Sequence, residues 1–293
     1  MSLRAQAEAA ITEITGQPPV SVRQVSSGDA AAGAFVAQLP DGTPVFAKAS
    51  RLERAAQAEA ASLTWLAEPG ALAVPRVHGH DDHWLVIDFI EPGAPTPQAA
   101  EEFGRGLARL HAAGAPHFGA APPGGPEEAW IGLAPMRNVP CESWPEFYAT
   151  HRVEPYLQRA VDSGVLGPQD GKVIRSVCER LDELAGPAEP PARLHGDLWS
   201  GNVHWGDGVA WAIDPAAHGG HRETDLAMLQ LFGCPHLDRI LAAYQEVSPL
   251  AEGWRQRVGL HQLFPLLVHA VLFGGGYAGQ ALAAARSALR AAG

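Results

Sequence analysis

The stretch LHGDLWSGNVHWGDGVAWAIDPA, residues 194–216, carries the side chains whose types and spacing are best suited to chemistry. Asn202 lies 5 residues after Asp197 and Asp214 lies 17 after it, with the strand-like run VAWAI leading into the last acid. Two carboxylates and an amide offer hard oxygen ligands of the kind Mg²⁺ takes, with one carboxylate to spare as a base. Upstream, VFAKAS places Lys48 near the end of a β-patterned run, and Glu59 follows 11 residues later. A lysine oriented by a helix carboxylate is a device for gripping phosphate. Taken singly, each feature has a plainer reading. Asp197 and Asn202 would serve in an Asx turn or helix cap, and a Lys–Glu pair is commonly a solvated surface bridge.

These side chains meet only if the elements around them bring them together. From Val20 to Ser50 the chain reads as a meander of three strands, VSVRQVSSG, AFVAQLP and VFAKAS, with Asp41-Gly42 as a turn signal. LERAAQAEAASLTWLA, residues 52–67, lacks Gly and Pro and predicts a helix. Leu52, Ala56, Leu63 and Leu66 share one stripe with Glu59, so that carboxylate faces inward and needs a partner. VPRVHGH and HWLVIDFI predict two further strands joined at Asp81-Asp82, where His78, His80 and His83 fit a hairpin turn better than a metal cluster. EPGAPTP then interrupts the pattern as a hinge. The remainder is helical in composition except near residues 194–214. The apolar run from His261 to Gly279 contains Pro265 and three consecutive glycines, and it reads as a buried helix rather than a membrane span.

Composition excludes several classes. A chain of 293 residues with 46% hydrophobic content is expected to form about two compact units, at roughly 150 residues per domain. Lys and Arg number 21 against 32 Asp and Glu, a net charge of −11, which argues against a nucleic-acid binder relying on bulk attraction. Any anionic ligand must be held locally. Cys141, Cys178 and Cys234 form no CxxC pair, so neither a disulfide framework nor a zinc ribbon is expected. The first residues lack the apolar core of a signal peptide, and no apolar run of about 18 residues follows. A cytoplasmic protein without a membrane partner is expected, with the oligomeric state open and a monomer preferred. No repeat is visible.

The spacing from Asp197 to Asn202 matches the protein-kinase loop H-R-D-x-x-x-x-N, with His195-Gly196 in place of His-Arg, and Asp214 matches the later metal-holding acid. Over nearly its whole length the chain resembles the fructosamine (ketosamine) kinases, relatives of the aminoglycoside phosphotransferases. HGDLWSGN at 195–202 is similar to the family signature, including Trp199. DPAAHGGHRETDLAMLQLFG, residues 214–233, resembles the block in which Asp-Pro-Ala replaces Asp-Phe-Gly. IGLAPMRNVPCESWPEFYATHRVEPYLQRA, residues 131–160, resembles a third block with Pro-x-x-Asn, Trp-x-x-Phe and Arg-x-x-Pro. The loop SSGDAAAGAF is less glycine-rich than a G-x-G-x-x-G cover and contains no cysteine. Met136 stands where relatives commonly have Gln, and Ala216, Ala217 and His218 stand where they often have larger or aromatic side chains.

The resemblance implies an α+β, two-lobed protein kinase-like fold. Residues 1–90 would form a small β-rich N-lobe with one helix, residues 91–97 a hinge, and residues 98–293 a larger, mainly helical C-lobe. It implies ATP and Mg²⁺ as cofactors and a small-molecule or protein-bound ketosamine as substrate, phosphorylated on the sugar 3-hydroxyl in a deglycation reaction. Asp197 would be the catalytic base, and Asn202 and Asp214 the metal ligands. Lys48, oriented by Glu59, would hold phosphates under a loop that includes Gly28. The backbone of Asp88, Phe89 and Ile90 would pair with adenine, while Trp199 and His218 would face the substrate. Arg222, Glu223 and Asp225 are expected in a buried network that fixes the loop after Asp214, with His195 as scaffold. Two other readings stay open: a kinase of another hydroxylated amine, aminoglycoside- or choline-like, and a nucleotide-binding pseudokinase.

Overall fold

The computed structural model describes residues 1–26 and 33–291. The first lobe contains helix α1 (Leu3–Thr15), strands β1 (Ser21–Val25), β2 (Gly33–Gln38) and β3 (Pro44–Ala49), helix α2 (Ala55–Ala67), and strands β4 (Val77–His80) and β5 (Trp84–Asp88). The strands form one antiparallel sheet in the order β1-β2-β3-β5-β4. Side chains alternate across it, as a period of two requires. Val45, Ala47, Ala49, Trp84 and Val86 pack with Ala7, Ala10 and Ile11 of α1, whereas Leu85 and Ile87 pack with Ala56, Ala60 and Leu63 of α2.

The lobe therefore has two helices, not the single one expected from sequence. Helix α1 buries little beyond two alanines and one isoleucine, a stripe too small to stand out in composition, yet it is what keeps one sheet face dry. Helix α2 begins at Ala55 rather than Leu52, because Arg54 adopts a left-handed backbone (φ 56°) and cannot continue a helix from the preceding turn. The β4–β5 hairpin is as read: Asp81 Oδ1 accepts from the N–H groups of His83 and Trp84, both at 2.7 Å, so the acid closes the turn.

Residues 89–96 lead into α3 (Pro97–Ala112), capped by the Thr96 hydroxyl. A hairpin follows, β6 (Glu128–Ile131) with β7 (Ala134–Arg137), in a region expected to be helical. Its strands are only four residues long, too short for a periodicity signal. Next come α4 (Trp144–Phe147), a π-helical stretch at Tyr148–Val153, α5 (Glu154–Asp162), α6 (Pro168–Glu179) and α7 (Leu181–Leu184). Short strands β8 (Ala192–Leu194), β9 (Val203–Gly206), β10 (Val209–Ala212) and β11 (His218–Gly220) frame the loops bearing Asp197 and Asp214; β8 pairs with β11, and β9 with β10. The chain ends with α8 (Arg222–Leu229), α9 (Leu237–Val247), α10 (Trp254–Phe273) and α11 (Gly276–Ala291). The apolar run from His261 is buried only as far as Ala270; Phe273 is 54% exposed, the helix stops at Gly274 and α11 starts anew. No helix among the described residues is long and apolar enough to cross a membrane.

One polar cluster sits inside this helical lobe. Glu223 is 3% exposed and receives Arg257 through both oxygens, at 2.6 and 3.0 Å, with His261 Nε2 at 3.4 Å. His221, Glu223 and His261 are close enough to hold a metal, but the bidentate guanidinium already occupies the carboxylate. Burial acts to raise the Glu223 pKa; the His261 and Arg257 contacts outweigh it and hold the group down to about 2, from an ordinary value of 4.5. The stability this carboxylate contributes is present above its unfolded pKa and is lost as pH falls from about 4.5 toward 2. Glu223→Gln should therefore lower stability at neutral pH by roughly 3 kcal/mol, the usual cost of breaking a buried pair, and flatten the acid limb of the melting temperature between pH 5 and 3. Thermal melts of the two proteins across that range test this; parallel limbs would count against it.

Candidate active site

The site begins with the alternation of β3. Burying Val45, Ala47 and Ala49 toward α1 turns Phe46 and Lys48 to the opposite face, into the cleft between the lobes. Lys48 Nζ lies 2.6 Å from Glu59 Oε2 on α2 and 2.7 Å from Asp214 Oδ1 in the second lobe. Burial acts to lower the Lys48 pKa, but Asp214 and Glu59 outweigh it and keep the ammonium charged. Burial pushes Glu59 up to about 7 despite Lys48, while Lys48 overcomes burial at Asp214 and holds that carboxyl below its usual range. Asp214 is thus the firmer counter-charge. The inward orientation of Glu59 read from the helical stripe is what the structure has.

The opposite wall is built from a loop pinned at its base. Asp225, fully buried on α8, accepts from the backbone N–H of His195 (2.8 Å) and Gly196 (3.0 Å) and contacts His111 Nε2 (3.1 Å). Burial acts to raise its pKa; the His111 contact and these donors bring it below the ordinary value. His195 Nδ1 accepts from Asp197 N–H (3.3 Å) and its Nε2 reaches Ile213 O (2.9 Å), so a neutral imidazole ties the Asp197 loop to the Asp214 strand. Burial keeps that ring's pKa low. His195 is the scaffold residue expected, but the network expected of Arg222, Glu223 and Asp225 is split: Asp225 pins the loop at His195-Gly196 rather than the one after Asp214, and Glu223 is engaged by Arg257 and His261. Arg222 holds Glu189 (2.6 Å) and Ser248 rather than facing the cleft.

Gly196 is required here: its φ is +83°, and a Cβ would lie 2.0 Å from Ala216 O. Leu198 points into the core, fully buried, which leaves Asp197 and Trp199 on the cleft side. Asn202 Nδ2 donates to Asp197 O (2.8 Å) and Oδ2 (3.1 Å), which leaves its Oδ1 as an acceptor. Asp214 has a left-handed backbone, φ 51°, unusual for a non-glycine residue and a mark of a turn held by its surroundings. Burial, then the charge of Asp214, pushes Asp197 up to about 7. Asn202 Oδ1 and the carboxylates of Asp197 and Asp214 form a hard-oxygen set suited to a divalent cation.

These residues line one cleft of about 770 Å³. Lys48, Glu59, Asp88, Phe89, Ile90, Asp197, Trp199, Asn202 and Asp214 all contribute to its walls. One expected residue among those described does not join them. His218 is not on the wall: it is 2% exposed in β11, its Nδ1 is 2.9 Å from Ala216 O, and its ring lies 5.8 Å from that of Phe147. Burial pushes its pKa down to about 3, so it is a neutral core residue. The antiparallel pairing with Leu194 turns it inward, and residue order alone could not reveal that. Gly28 lies outside the described residues.

The β6–β7 hairpin supplies walls that sequence reasoning missed, including Trp130 and Asn138. Trp130 Nε1 donates to Glu53 O at 2.9 Å, and Gln57 Nε2 donates to Gly124 O at 3.1 Å, so this segment straps the second lobe to the start of α2. Trp199 stands over Gly201, where a Cβ would lie 2.1 Å from its ring, and meets Phe232 edge-on at 6.0 Å. Aromatic contacts continue from Phe232 to His269 and Tyr277. The block resemblance over residues 131–160 and 214–233 was the only signal pointing to these segments.

Comparison with known proteins agrees with this geometry. The family model for fructosamine kinase matches residues 3–291. A probable ketoamine kinase of Synechocystis sp. is 34% identical over 292 residues, 96% of this chain and 95% of its own. One from Thermus thermophilus is 36% identical over 225 residues, 76% of this chain and 78% of its own. The crystal structure of a protein provisionally assigned as a fructosamine-3-kinase, from Thermobifida fusca, superposes with a TM-score of 0.91 at 49% identity, covering 99% of both chains. A macrolide 2′-phosphotransferase from Brachybacterium faecium shares the fold alone, with a TM-score of 0.63 at 19% identity over 97% of this chain and 98% of its own. With its cleft, its strapped lobes and a match along nearly its full length, this chain belongs to the fructosamine kinase family.

Proposed function

We propose that the protein is an ATP-dependent ketosamine kinase that phosphorylates the sugar 3-hydroxyl of fructosamine or ribulosamine adducts, the product then releasing the amine. The observation that carries the reading is the convergence, in one cleft, of Lys48 paired to Glu59 with the Asp197, Asn202 and Asp214 set. In this reading residues 1–90 bind nucleotide, residues 91–97 form the hinge, and residues 98–293 carry catalysis and the acceptor. The backbone of Asp88, Phe89 and Ile90 receives adenine, and Lys48 turns from Asp214 to the phosphates. Asn202 and Asp214 hold Mg²⁺, which supplies charge neutralisation for the phosphates when bound.

Asp197 accepts or orients the proton of the attacking hydroxyl. Its contribution is chiefly positioning, because the loop beneath it is fixed by Asp225 and His195 before any acceptor arrives. Trp199 forms a flat wall for the sugar, held upright by the space above Gly201 and by Phe232. The acidic balance of the chain, −11, suits an acceptor that carries an amine.

ADP release measured with Mg·ATP across fructosamines, ribulosamines, aminoglycosides and choline should show turnover of ketosamines above the ATPase background. Turnover confined to another amine would overturn the substrate assignment, and none at all would favour a pseudokinase. Asp197→Asn should retain nucleotide binding and lower kcat by roughly 10²–10⁴-fold; near-parental kcat would remove Asp197 from its role. Lys48→Met should instead weaken nucleotide affinity, by roughly tenfold or more, in line with losing one desolvated charge on phosphate. Titration with a fluorescent ATP analogue separates these two effects.

A further inference from the structure

Asn138 follows β7, lies at the cleft wall together with Trp130 and Asp197, and is 2% exposed. Its backbone N–H donates to Glu127 O at 2.9 Å, which fixes the residue at the mouth of the β6–β7 hairpin. Its side-chain Oδ1 accepts from Arg152 Nη2 at 2.8 Å. An arginine carries only donors, so that contact settles which amide atom is oxygen. Nδ2 is therefore the group turned elsewhere, and it has no partner among the described residues. A buried N–H₂ without an acceptor is costly, and a site that binds an oxygen there relieves the cost.

Arg152 is itself unusual. It is 1% exposed and has no carboxylate partner among the described residues. Its Nη1 donates to Arg137 O (2.7 Å) and His151 O (3.1 Å), and its guanidinium carbon lies 4.5 Å from the Phe147 ring centre and 5.6 Å from that of Phe264. Its Nε has no partner among the described residues, and a buried cation held only by carbonyls, one amide and aromatic faces is expensive to keep. Its one hydrogen-bonded side-chain partner among the described residues is Asn138, and by drawing on Oδ1 it makes Nδ2–H a stronger donor. The same positive charge disfavours an ammonium at this point in the cleft.

We infer that Asn138 Nδ2 donates a hydrogen bond to a sugar oxygen of the phosphoryl acceptor, with Arg152 as its positioning residue, so that the oxygen-rich end of the acceptor faces the β6–β7 hairpin and its amine points away. This rests on the kinase reading above for the reaction and on the ketosamine assignment for the acceptor. Asn138 is a specificity residue in this scheme and takes no proton.

Steady-state kinetics of Asn138→Ala and Asn138→Asp, with ATP and the acceptor varied separately, test it. Both variants should raise the acceptor KM roughly tenfold or more, the scale of one hydrogen bond to a buried donor, while the ATP KM stays within about twofold. Asn138→Asp keeps Arg152 paired and should melt no lower than the parent, so a loss there is not unfolding. An unchanged acceptor KM in either folded variant overturns the inference, as does an equal rise in the ATP KM. Arg152→Lys should raise the acceptor KM in the same direction through Asn138; an unchanged value removes Arg152 from its positioning role. A parent enzyme that phosphorylates an aminoglycoside but no ketosamine would sink the substrate assignment alone, and the KM of that acceptor would then decide the role of Asn138.

Discussion

Holding several carboxylates in one dry cleft is the constraint around which this molecule is arranged. Glu59, Asp197 and Asp214 all reach the space between the lobes, and burial alone would push each of them toward its neutral form. Lys48 is the cation that reconciles two of them, at 2.6 and 2.7 Å. The chain has only two lysines, Lys48 and Lys172, and otherwise relies on arginine for positive charge. A compact ammonium on a flexible stem can exchange one oxygen partner for another, where a planar guanidinium would lock a fixed fork. The triad also joins three elements: β3, α2 and the turn after β10. Sheet and helical lobe are therefore coupled through the site itself.

The same economy governs the loop that carries Asp197. Its backbone donors end on Asp225, its imidazole bridges to Ile213, and Leu198 anchors it in the core. Rigidity comes from buried, fully engaged polar groups behind the wall, and the groups on the wall stay available. Asn138 follows the same design on the far side, with its oxygen spent on Arg152 and its nitrogen uncommitted. The hairpin before it gains its position from Trp130 and from the Gln57 contact to Gly124, both of which cross to the start of α2.

Much of the fold was legible in sequence where local periodicity is strong. The β pattern of VFAKAS placed Lys48 near a strand end, and the stripe through Leu63 and Leu66 placed Glu59 inward. The turn signals at Asp41-Gly42 and Asp81-Asp82 marked the meander. Helix α1 escaped because its buried stripe is mostly alanine, which looks alike in a core and on a surface. The β6–β7 hairpin escaped because four-residue strands have no resolvable period, and its meaning lies in contacts with residues far away in the chain.

The sequence by itself determined the oxygen-ligand set of the cleft, because Asp197, Asn202 and Asp214 sit within one loop-and-strand unit of short span. It also put Lys48 near a strand end and Glu59 on the inward stripe of the next helix, but the packing of α2 on the sheet is what brought the two within 2.6 Å. Only the tertiary structure decided the wall of the cleft on the side of the β6–β7 hairpin. There His218, four residues after Asp214, is turned into the core by its pairing with Leu194, while Trp130 and Asn138 arrive on the β6–β7 hairpin and Phe232 backs Trp199 from behind the wall. A wall assembled across such distances obeys packing and hydrogen-bond satisfaction in three dimensions, and no local pattern records it.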